Sequence, residues 1–312
     1  MEAILQWGLD VTRLVQGWAI QPLTYSMRFA SMLGSSAAYV VLVAFIFWCI
    51  DEKKSLRLGT ALIVSAWVNV VLKFLLDQPR PFDLDPSLEM VPATMGGLPS
   101  GHAQNALVVW FIIASWGRGK WRFIPAAILC VLIAFSRVYL GAHFPTDILG
   151  GWLVGGVLLG VYFLAGKWIE ALLTDHAPRA GLVVVAAVSF VMILYRPADE
   201  VLSLAGMLLG MGVGFHLCKR FVGFTALAPF GRIGFARYFS LFIRFAIGVA
   251  GVVLLFILSG NLMGMFRETE NYQLFVFLRF ALLAFWISVG APWVFRFARL
   301  TENNVIHYQE HD

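Results

Sequence analysis

Three basic residues of this sequence occur in short polar stretches that separate long apolar runs. Lys73 and Arg80 lie in K-F-L-L-D-Q-P-R-P, and Arg137 lies in S-R-V-Y-L-G-A-H-F-P-T-D. No matching cluster of buried carboxylates accompanies these cations, so their natural partner is a polyanion. A guanidinium pairs with a phosphate through two parallel hydrogen bonds, and phosphate is therefore the anion that this set favours.

Two histidines and an aspartate supply the groups that could react with such an anion. His143 and Asp147 are four residues apart at the predicted start of a helix, so the carboxylate can reach back one turn to the imidazole. A carboxylate that binds one ring nitrogen fixes the tautomer and leaves the other nitrogen free to attack. His102 can then protonate the leaving oxygen. These residue types predict nucleophilic displacement.

The P-S-G-H stretch at residues 99–102 predicts a tight turn that enters a helix. Backbone N–H groups at the positive end of a helix bind anions, and Gly101 allows a ligand to approach the backbone. The turn therefore adds donors for the same anion that the three cations favour.

Other roles for the same residues remain open at this point. His102, His143 and Asp147 could hold zinc, although three nearby cations without a further carboxylate would repel a metal. Lys73 and Arg80 could snorkel at a helix end, and Arg137 could anchor a helix to headgroups. Each of these roles suits one part of the set taken alone, whereas an anion site accounts for all of the residues together.

The composition indicates that membrane helices position these residues. Hydrophobic residues make up 60% and charged residues 13% of the 312 residues, and the mean hydropathy is +0.81. Soluble proteins have roughly 45–50% apolar and about 25% charged residues. Because ionised groups are costly inside a bilayer, this depletion predicts an all-α polytopic membrane protein. The net charge of +5 is assigned to the orientation of the helices, and no nucleic-acid partner is expected.

Apolar runs near the length of about 20 residues that a helix needs to cross the hydrocarbon core predict about nine spans. They are 33–50, 56–76, 101–117, 122–140, 146–166, 180–195, 200–217, 239–259 and 273–295. The pattern before them, which includes Trp7 and Trp18, predicts an amphipathic helix in the membrane interface. The sequence therefore divides into an interfacial segment, a six-span core, additional spans and a polar tail, at residues 1–30, 31–195, 196–300 and 301–312.

The distribution of basic residues predicts the orientation of the spans. Of the 23 Lys and Arg residues, 14 fall on one side, seven on the other and two within predicted spans. The positive-inside rule assigns the richer side to the cytoplasm. The N-terminus, the 77–100 loop and the 141–145 turn then face out, and the C-terminus faces in. Arg279, one of the two within spans, either snorkels outward or faces a polar cavity.

The three motifs together resemble the signature of the type 2 phosphatidic acid phosphatase superfamily, which also contains glucose-6-phosphatase, bacterial acid phosphatases and vanadium haloperoxidases. Its pattern is K-x6-RP, PSGH and SR-x5-H-x3-D, and every specified position is present between residues 73 and 147. The resemblance implies a phosphohistidine at His143 that Asp147 orients, His102 as general acid, and no metal or other cofactor. It implies that the phosphate is held by Lys73, Arg80, Ser100, Gly101 and Arg137.

The resemblance also implies a function, hydrolysis of a lipid phosphate monoester or pyrophosphate by a six-helix core to which this chain adds about three C-terminal helices. A site on helix ends at the membrane face suits a lipid such as phosphatidate or an isoprenyl pyrophosphate. Because no N-x-S/T sequon is present, a bacterial inner membrane with the site facing out is the expected location.

Three alternatives to lipid phosphate hydrolysis remain. W-V-N-V-V-L-K at 67–73 and A-H-F-P at 142–145 are similar to the glucose-6-phosphatase branch, which acts on a soluble sugar phosphate. Transfer of the phosphoryl group to a second lipid would use the same residues. Non-enzymatic anion transport is the third, although no pair of broken spans in corresponding halves supports it.

Overall fold

The computed structural model describes residues 2–170, 178–226 and 234–301, and these ranges are built from α-helices with short 3₁₀ and π segments. No strand occurs in them, so the all-α prediction is confirmed. The tail at 302–312 lies outside the described residues. The α-helices are α1 Glu2–Gln16, α2 Gln21–Leu33, α3 Ser36–Cys49, α4 Glu52–Leu76, α5 Pro81–Leu84, α6 Gly101–Ser115, α7 Phe123–Tyr139, α8 Pro145–Glu170, α9 Pro178–Tyr195, α10 Asp199–Leu217, α11 Phe235–Phe266, α12 Tyr272–Phe285 and α13 Ala291–Phe297.

Helices occupy all nine predicted span positions, but fewer of them are long enough to cross a bilayer. In the described ranges, six helical segments have the required length and hydropathy, or seven if the bent pair α2 and α3 forms one span. The six are Glu52–Leu84, Lys120–Tyr139, Pro145–Gly166, Asp199–Val222, Arg237–Phe266 and Tyr272–Phe297. By this criterion six of the nine predicted spans are found in the described ranges, or seven with the bent pair.

The physical reason is helix length. The 15 residues of α6 rise about 22 Å at 1.5 Å per residue, which is short of the roughly 30 Å hydrocarbon core. The apolar part of α9, Ala180–Tyr195, is also too short. α3 reaches the required length only together with α2, from which it is bent by 54°.

The amphipathic pattern of the N-terminal segment is visible in α1. Trp7 and, just after the helix, Trp18 are exposed. The opposite face packs inward, where Leu9 contacts Leu88 and Phe144. The predicted interfacial position of this helix in a membrane stays a prediction.

The chain forms two compact units. One contains Met1–Val40 and Ala61–Lys167, and the other contains Val41–Thr60 and Trp168–Asp312. The sequence-based boundaries near residues 30, 195 and 300 stay a prediction of their own, because they divide the chain by motif and hydropathy rather than by packing.

In the first unit, small side chains let α6, α7 and α8 approach closely. Ala103 of α6, Ala134 and Val138 of α7, and Ile148 of α8 form one buried cluster. Gly151 of α8 lies against the backbone of α6, where an added Cβ would stand 2.6 Å from the Ser100 carbonyl oxygen. This packing fixes the first turn of α6 against the first two turns of α8.

In the second unit, three glycines of α10 share one face and allow its backbone to touch α12. Gly206, Gly210 and Gly214 are spaced four residues apart, which is the small-xxx-small pattern of tightly packed membrane helices. Ala281 of α12 lies against Gly210 through its backbone, and the Ser288 side chain fills the space beside Gly214.

This packing predicts that Gly210→Ala destabilises the second unit. The added methyl group would overlap the backbone of Ala281, which cannot rotate away. We expect the free energy of unfolding to fall by about 1–3 kcal/mol, because overpacking outweighs the higher helix propensity of alanine. Thermal unfolding of purified protein tests this, with Gly160→Ala as the control, since no atom lies within 4 Å of a Cβ at that position. Equal midpoints for the two variants would contradict it.

Candidate active site

The end of α4 and the segment after it bring two basic side chains into the first unit. Lys73 lies in the last turn of α4 and donates to the carbonyl oxygens of Gly96 and Gly97. Arg80 precedes α5 and donates to the carbonyl oxygens of Met95, at 2.6 Å, and Ala142, at 2.7 Å. Both side chains are buried, and their hydrogen bonds hold residues 95–97 of the 77–100 loop next to them.

His143 lies in the turn between α7 and α8, next to the carboxylate that the sequence predicts as its partner. Its Nδ1 is 3.3 Å from Oδ2 of Asp147, and its Nε2 is 3.4 Å from Nη1 of Arg80. His143 is 2% exposed and Asp147 is fully buried. With the ring proton on Nδ1, this nitrogen donates to the Asp147 carboxylate. The lone pair is then on Nε2, which faces the Arg80 guanidinium.

Asp147 is held by further donors. Oδ2 also accepts from the backbone N–H of Phe144 at 3.0 Å, and Oδ1 accepts from Nε2 of Gln78 at 3.0 Å. The backbone carbonyl of Asp147 accepts from the N–H of Ser100 at 2.9 Å. The start of α8 is therefore bonded to the P-S-G-H turn as well as to the histidine.

Two buried donors near these residues have no partner among the described residues. Arg137 donates from Nη1 to the Ser31 hydroxyl at 2.6 Å, but its Nε has no acceptor. The Ser100 hydroxyl, at the start of α6, also lacks a partner. Buried polar groups are nearly always hydrogen-bonded. An oxyanion bound at this site would supply the missing acceptor for both donors.

His102 occupies the first turn of α6 and packs beside Gly34. Within the described chain its ring nitrogens have no hydrogen-bond partner, in contrast to the doubly engaged ring of His143. An imidazole that no protein group engages is free to exchange a proton with a bound molecule.

The turn that positions His143 is itself held from α1. Gly141 has a φ of +69°, and a Cβ there would overlap the backbone of Leu88. The Gln16 side chain donates to the carbonyl oxygens of Leu88 and Tyr139, at 3.0 and 3.1 Å. α1 therefore holds the 77–100 loop against the 140–144 turn.

Burial and charge together keep the imidazole of His143 neutral. Its pKa is held well below the ordinary value of 6.5, first by burial and then by the positive charges of Arg80, Lys73 and Arg137. A neutral imidazole has a lone pair for attack, which a protonated one lacks.

Comparisons with known proteins bear directly on this arrangement. The family model described as PAP2 superfamily matches residues 54–170, and a second, described as PAP2 superfamily phosphatase, transmembrane extension, matches residues 202–303. An undecaprenyl-diphosphatase of Sulfolobus acidocaldarius is 30% identical over 162 residues, which is 49% of this chain and 76% of that protein. This chain belongs to the PAP2 superfamily. The family predicted from the motifs is therefore confirmed, and the chain is a multi-pass integral membrane protein.

Two further PAP2 relatives differ in how much of the chain they match. Sphingosine-1-phosphate phosphatase 2 of Mus musculus is 32% identical over 57% of this chain and 52% of its own length. Glucose-6-phosphatase catalytic subunit 1 of Haplochromis nubilus is 24% identical over 90% of this chain and 91% of its own length. The chain spans about half the length of the first curated relatives that it matches.

All eight predicted site residues lie inside the region that the PAP2 model matches. The structure brings His143, Asp147 and Arg80 into direct contact, and Ser100 is bonded to Asp147 through the backbone. Lys73 and Arg137 act on His143 through their positive charges rather than through a hydrogen bond, and His102 lies in the first turn of α6. Gly101 begins α6. Their roles in binding and catalysis stay predictions. No group of three His, Cys, Asp or Glu in the described ranges is arranged to hold a metal.

Sequence reasoning missed the polar residues that support the PAP2 motifs. Ser65 and Asn69 precede Lys73 on one face of α4, at four-residue spacing. Asn69 donates to the Pro99 carbonyl oxygen at 3.1 Å and to Oε1 of Gln104 at 2.9 Å, and Gln104 donates to Ser65. The available signal was the recurrence of polar residues every four positions in an apolar helix.

This network explains why residue 101 is a glycine in a way that does not depend on the approach of a ligand. A Cβ at residue 101 would stand 2.9 Å from Oδ1 of Asn69, whose amide is fixed by Pro99 and Gln104. We expect Gly101→Ala to shift the turn and reduce kcat/KM by roughly ten- to a hundredfold, because small displacements of binding groups weaken catalysis strongly. Phosphate release measures this effect. Gly156→Ala, where no atom lies within 4 Å, should leave it unchanged, and matching losses would contradict this role of Gly101.

The depressed pKa of His143 predicts its behaviour between pH 7 and pH 6. The neutral fraction of a histidine with a pKa of 6.5 falls about threefold over this interval, whereas His143 should stay neutral throughout. Histidine NMR spectra of the purified protein test this, with the His143 signal assigned from its loss in His143→Ala. Arg80→Gln removes a neighbouring positive charge and should raise the pKa of His143. A wild-type signal that titrates near pH 6.5 would contradict the prediction.

Proposed function

We propose that this chain is a metal-independent membrane phosphatase that hydrolyses a lipid phosphate monoester or diphosphate through a phosphohistidine at His143. The observation that supports it most is the pairing of His143 Nδ1 with Asp147 while Nε2 faces Arg80. A neutral imidazole, held in one tautomer beside a cation, suits attack on phosphorus.

In the first step, Nε2 of His143 forms a bond to phosphorus as the bond from phosphorus to the leaving oxygen breaks. The leaving oxygen takes the electron pair and receives a proton from His102. The charge on the equatorial oxygens is stabilised by side chains and by the turn at the start of α6, through Lys73, Arg80, Arg137, Ser100 and Gly101. The unpartnered Nε of Arg137 and hydroxyl of Ser100 supply two of these donors.

In the second step, water attacks the phosphohistidine. His102 takes one proton from that water, the bond from nitrogen to phosphorus breaks, and the electron pair returns to Nε2 of His143. Asp147 stabilises the imidazole by accepting from Nδ1 in both steps. No step requires a metal, so turnover in excess chelator is expected to equal turnover without it.

The proposed substrates are lipids for two reasons. The site lies on helix ends that the sequence places at the membrane face, and several relatives are named for lipid phosphates. The relatives include phosphatases of sphingosine 1-phosphate and an undecaprenyl-diphosphatase, and both names describe a phosphate on an apolar chain. Phosphatidate and isoprenyl pyrophosphate are therefore the first substrates to test.

A soluble sugar phosphate is the second candidate, favoured by the match to glucose-6-phosphatase catalytic subunit 1 along nearly the whole chain. The deciding experiment measures phosphate release by one purified sample from sphingosine 1-phosphate, phosphatidate, undecaprenyl diphosphate and glucose 6-phosphate. We expect kcat/KM to be highest for a lipid. A preference for glucose 6-phosphate would select the second candidate, and no release from any of them would contradict the phosphatase. Addition of an acceptor lipid separates hydrolysis from phosphoryl transfer.

We also propose that the site faces outward from a bacterial inner membrane, with the N-terminus out and the C-terminus in. Counted along the nine spans predicted from the sequence, most Lys and Arg residues fall on the side opposite the site, which supports this orientation. Reporter fusions after residue 301 and before residue 2 test it, and a C-terminal reporter that is active outside the membrane would contradict it.

A further inference from the structure

Arg279 is a basic residue inside a span of the second unit. It lies seven residues after the start of Tyr272–Phe297, which places it about 10 Å along the helix from that end. In the part of the chain that the structure describes, it forms no ion pair with a carboxylate. A guanidinium at this depth is costly unless a partner neutralises it.

The protein contacts of Arg279 use only part of its hydrogen-bonding capacity. Nη1 donates to the sulfur of Met263 at 2.9 Å, and Nη2 donates to the Phe256 carbonyl oxygen at 3.2 Å. Nε is buried without an acceptor. A guanidinium has five N–H donors, and thioether sulfur is a weak acceptor. Most of the Arg279 donors therefore have no strong acceptor among the described residues.

The surroundings hold the guanidinium in one place. The Phe256 ring centroid is 4.4 Å from its central carbon and that of Phe280 is 5.6 Å away. Cation–π contacts of this kind orient an arginine without neutralising its charge. The side chain is therefore held in one place, and no carboxylate of the described residues pairs with it.

Two glycines of α11, Gly260 and Gly264, form a track without side chains between Arg279 and the end of that helix. A Cβ at Gly260 would stand 3.4 Å from Nη2 of Arg279, and a Cβ at Gly264, one turn further, would have no atom within 4 Å. α11 ends two residues later at Phe266. The track therefore leads from the guanidinium to the membrane surface where α11 and α12 are joined.

We propose that Arg279 and this glycine track bind the phosphate group of an anionic bilayer phospholipid. The fixed positive charge and its unused donors match a phosphate in a bidentate geometry. The exposed Ile257, one turn before Gly260 on the same face of α11, is suited to contact an acyl chain. The site belongs to the transmembrane extension, involves no bond making or breaking, and is independent of the proposed activity at His143.

Native mass spectrometry of the purified full-length chain with phosphatidylglycerol tests this site. We expect the wild-type protein to retain one lipid, and Arg279→Gln to weaken its binding roughly tenfold, as for the loss of one charge-assisted pair. Arg267→Gln, an exposed arginine in the neighbouring connection, is the matched control and should retain the lipid. Equal retention by Arg279→Gln and Arg267→Gln would overturn the proposal.

Two further measurements distinguish a bound phospholipid from a bound inorganic anion. Gly260→Leu keeps the guanidinium and fills the track, so it should also lose the lipid, and it decides the question if Arg279→Gln does not fold. Inorganic phosphate should not displace phosphatidylglycerol, because the acyl chains contribute to binding. Displacement by equimolar phosphate would show an anion site without a lipid and would overturn the proposal.

Discussion

Replacing His143 by alanine is expected to reduce phosphate release by at least about 10⁴-fold, which is the order of loss when a catalytic nucleophile is removed. The imidazole is the group that forms the bond to phosphorus, and no other nucleophile contacts Arg80 and Asp147 in the described structure. Rapid quenching with a labelled substrate should trap an acid-labile phosphoenzyme in the wild type and none in the variant.

The control for this experiment is His216→Ala, which removes a histidine from the last turn of α10 in the second unit. It should keep both turnover and the phosphoenzyme. Thermal unfolding of His143→Ala should be cooperative, because Asp147 still accepts from the Phe144 N–H and from Gln78. Turnover by a folded His143→Ala within tenfold of the wild type would end the nucleophile assignment.

Asp147→Asn is expected to lower turnover by about 10²- to 10⁴-fold with little change in the fold. The carboxylate accepts from His143 Nδ1, from the Phe144 N–H and from Gln78. An amide has one oxygen to offer these donors, so its NH₂ group would face at least one of them. If that donor is His143, the proton moves to Nε2 and the attacking lone pair is lost.

Gln78→Leu is the matched control, because it removes one donor to the same carboxylate and leaves the charge intact. Its loss should be about tenfold, the equivalent of one net hydrogen bond of roughly 1.4 kcal/mol. Imidazole nitrogen shifts should report a tautomer change in Asp147→Asn and none in Gln78→Leu. A larger loss in Gln78→Leu than in Asp147→Asn would contradict the assigned role.

The site could be predicted from the sequence further than the fold that surrounds it. The spacing of His143 and Asp147 is one helical turn, and one turn at the start of α8 is what the structure contains. The turn of P-S-G-H into α6 follows from the same local rules. Such relations are encoded within a few residues, and local geometry decides them.

Long-range relations could not be predicted in this way. Nothing in the spacing of Gln78 indicates that it donates to Asp147, 69 residues away. Hydropathy alone marks residues 101–117 as a span, whereas the helix formed there has only 15 residues. The contact of Gly210 with Ala281 depends on how α10 and α12 cross, which neither helix encodes alone.

The row of Ser65, Asn69 and Lys73 on α4 determines which parts of this protein can change length. One residue inserted between Ser65 and Lys73 would rotate the end of α4 by about 100° relative to its beginning. Either the Asn69 amide would lose its bond to Gln104 or the Lys73 ammonium group would lose its bond to Gly97. An insertion near Pro92, outside that row and outside the contacts of Leu88, leaves the rotation of α4 unchanged. Homologues that retain this site should therefore vary in length after Met90 and keep a constant length between Ser65 and Lys73.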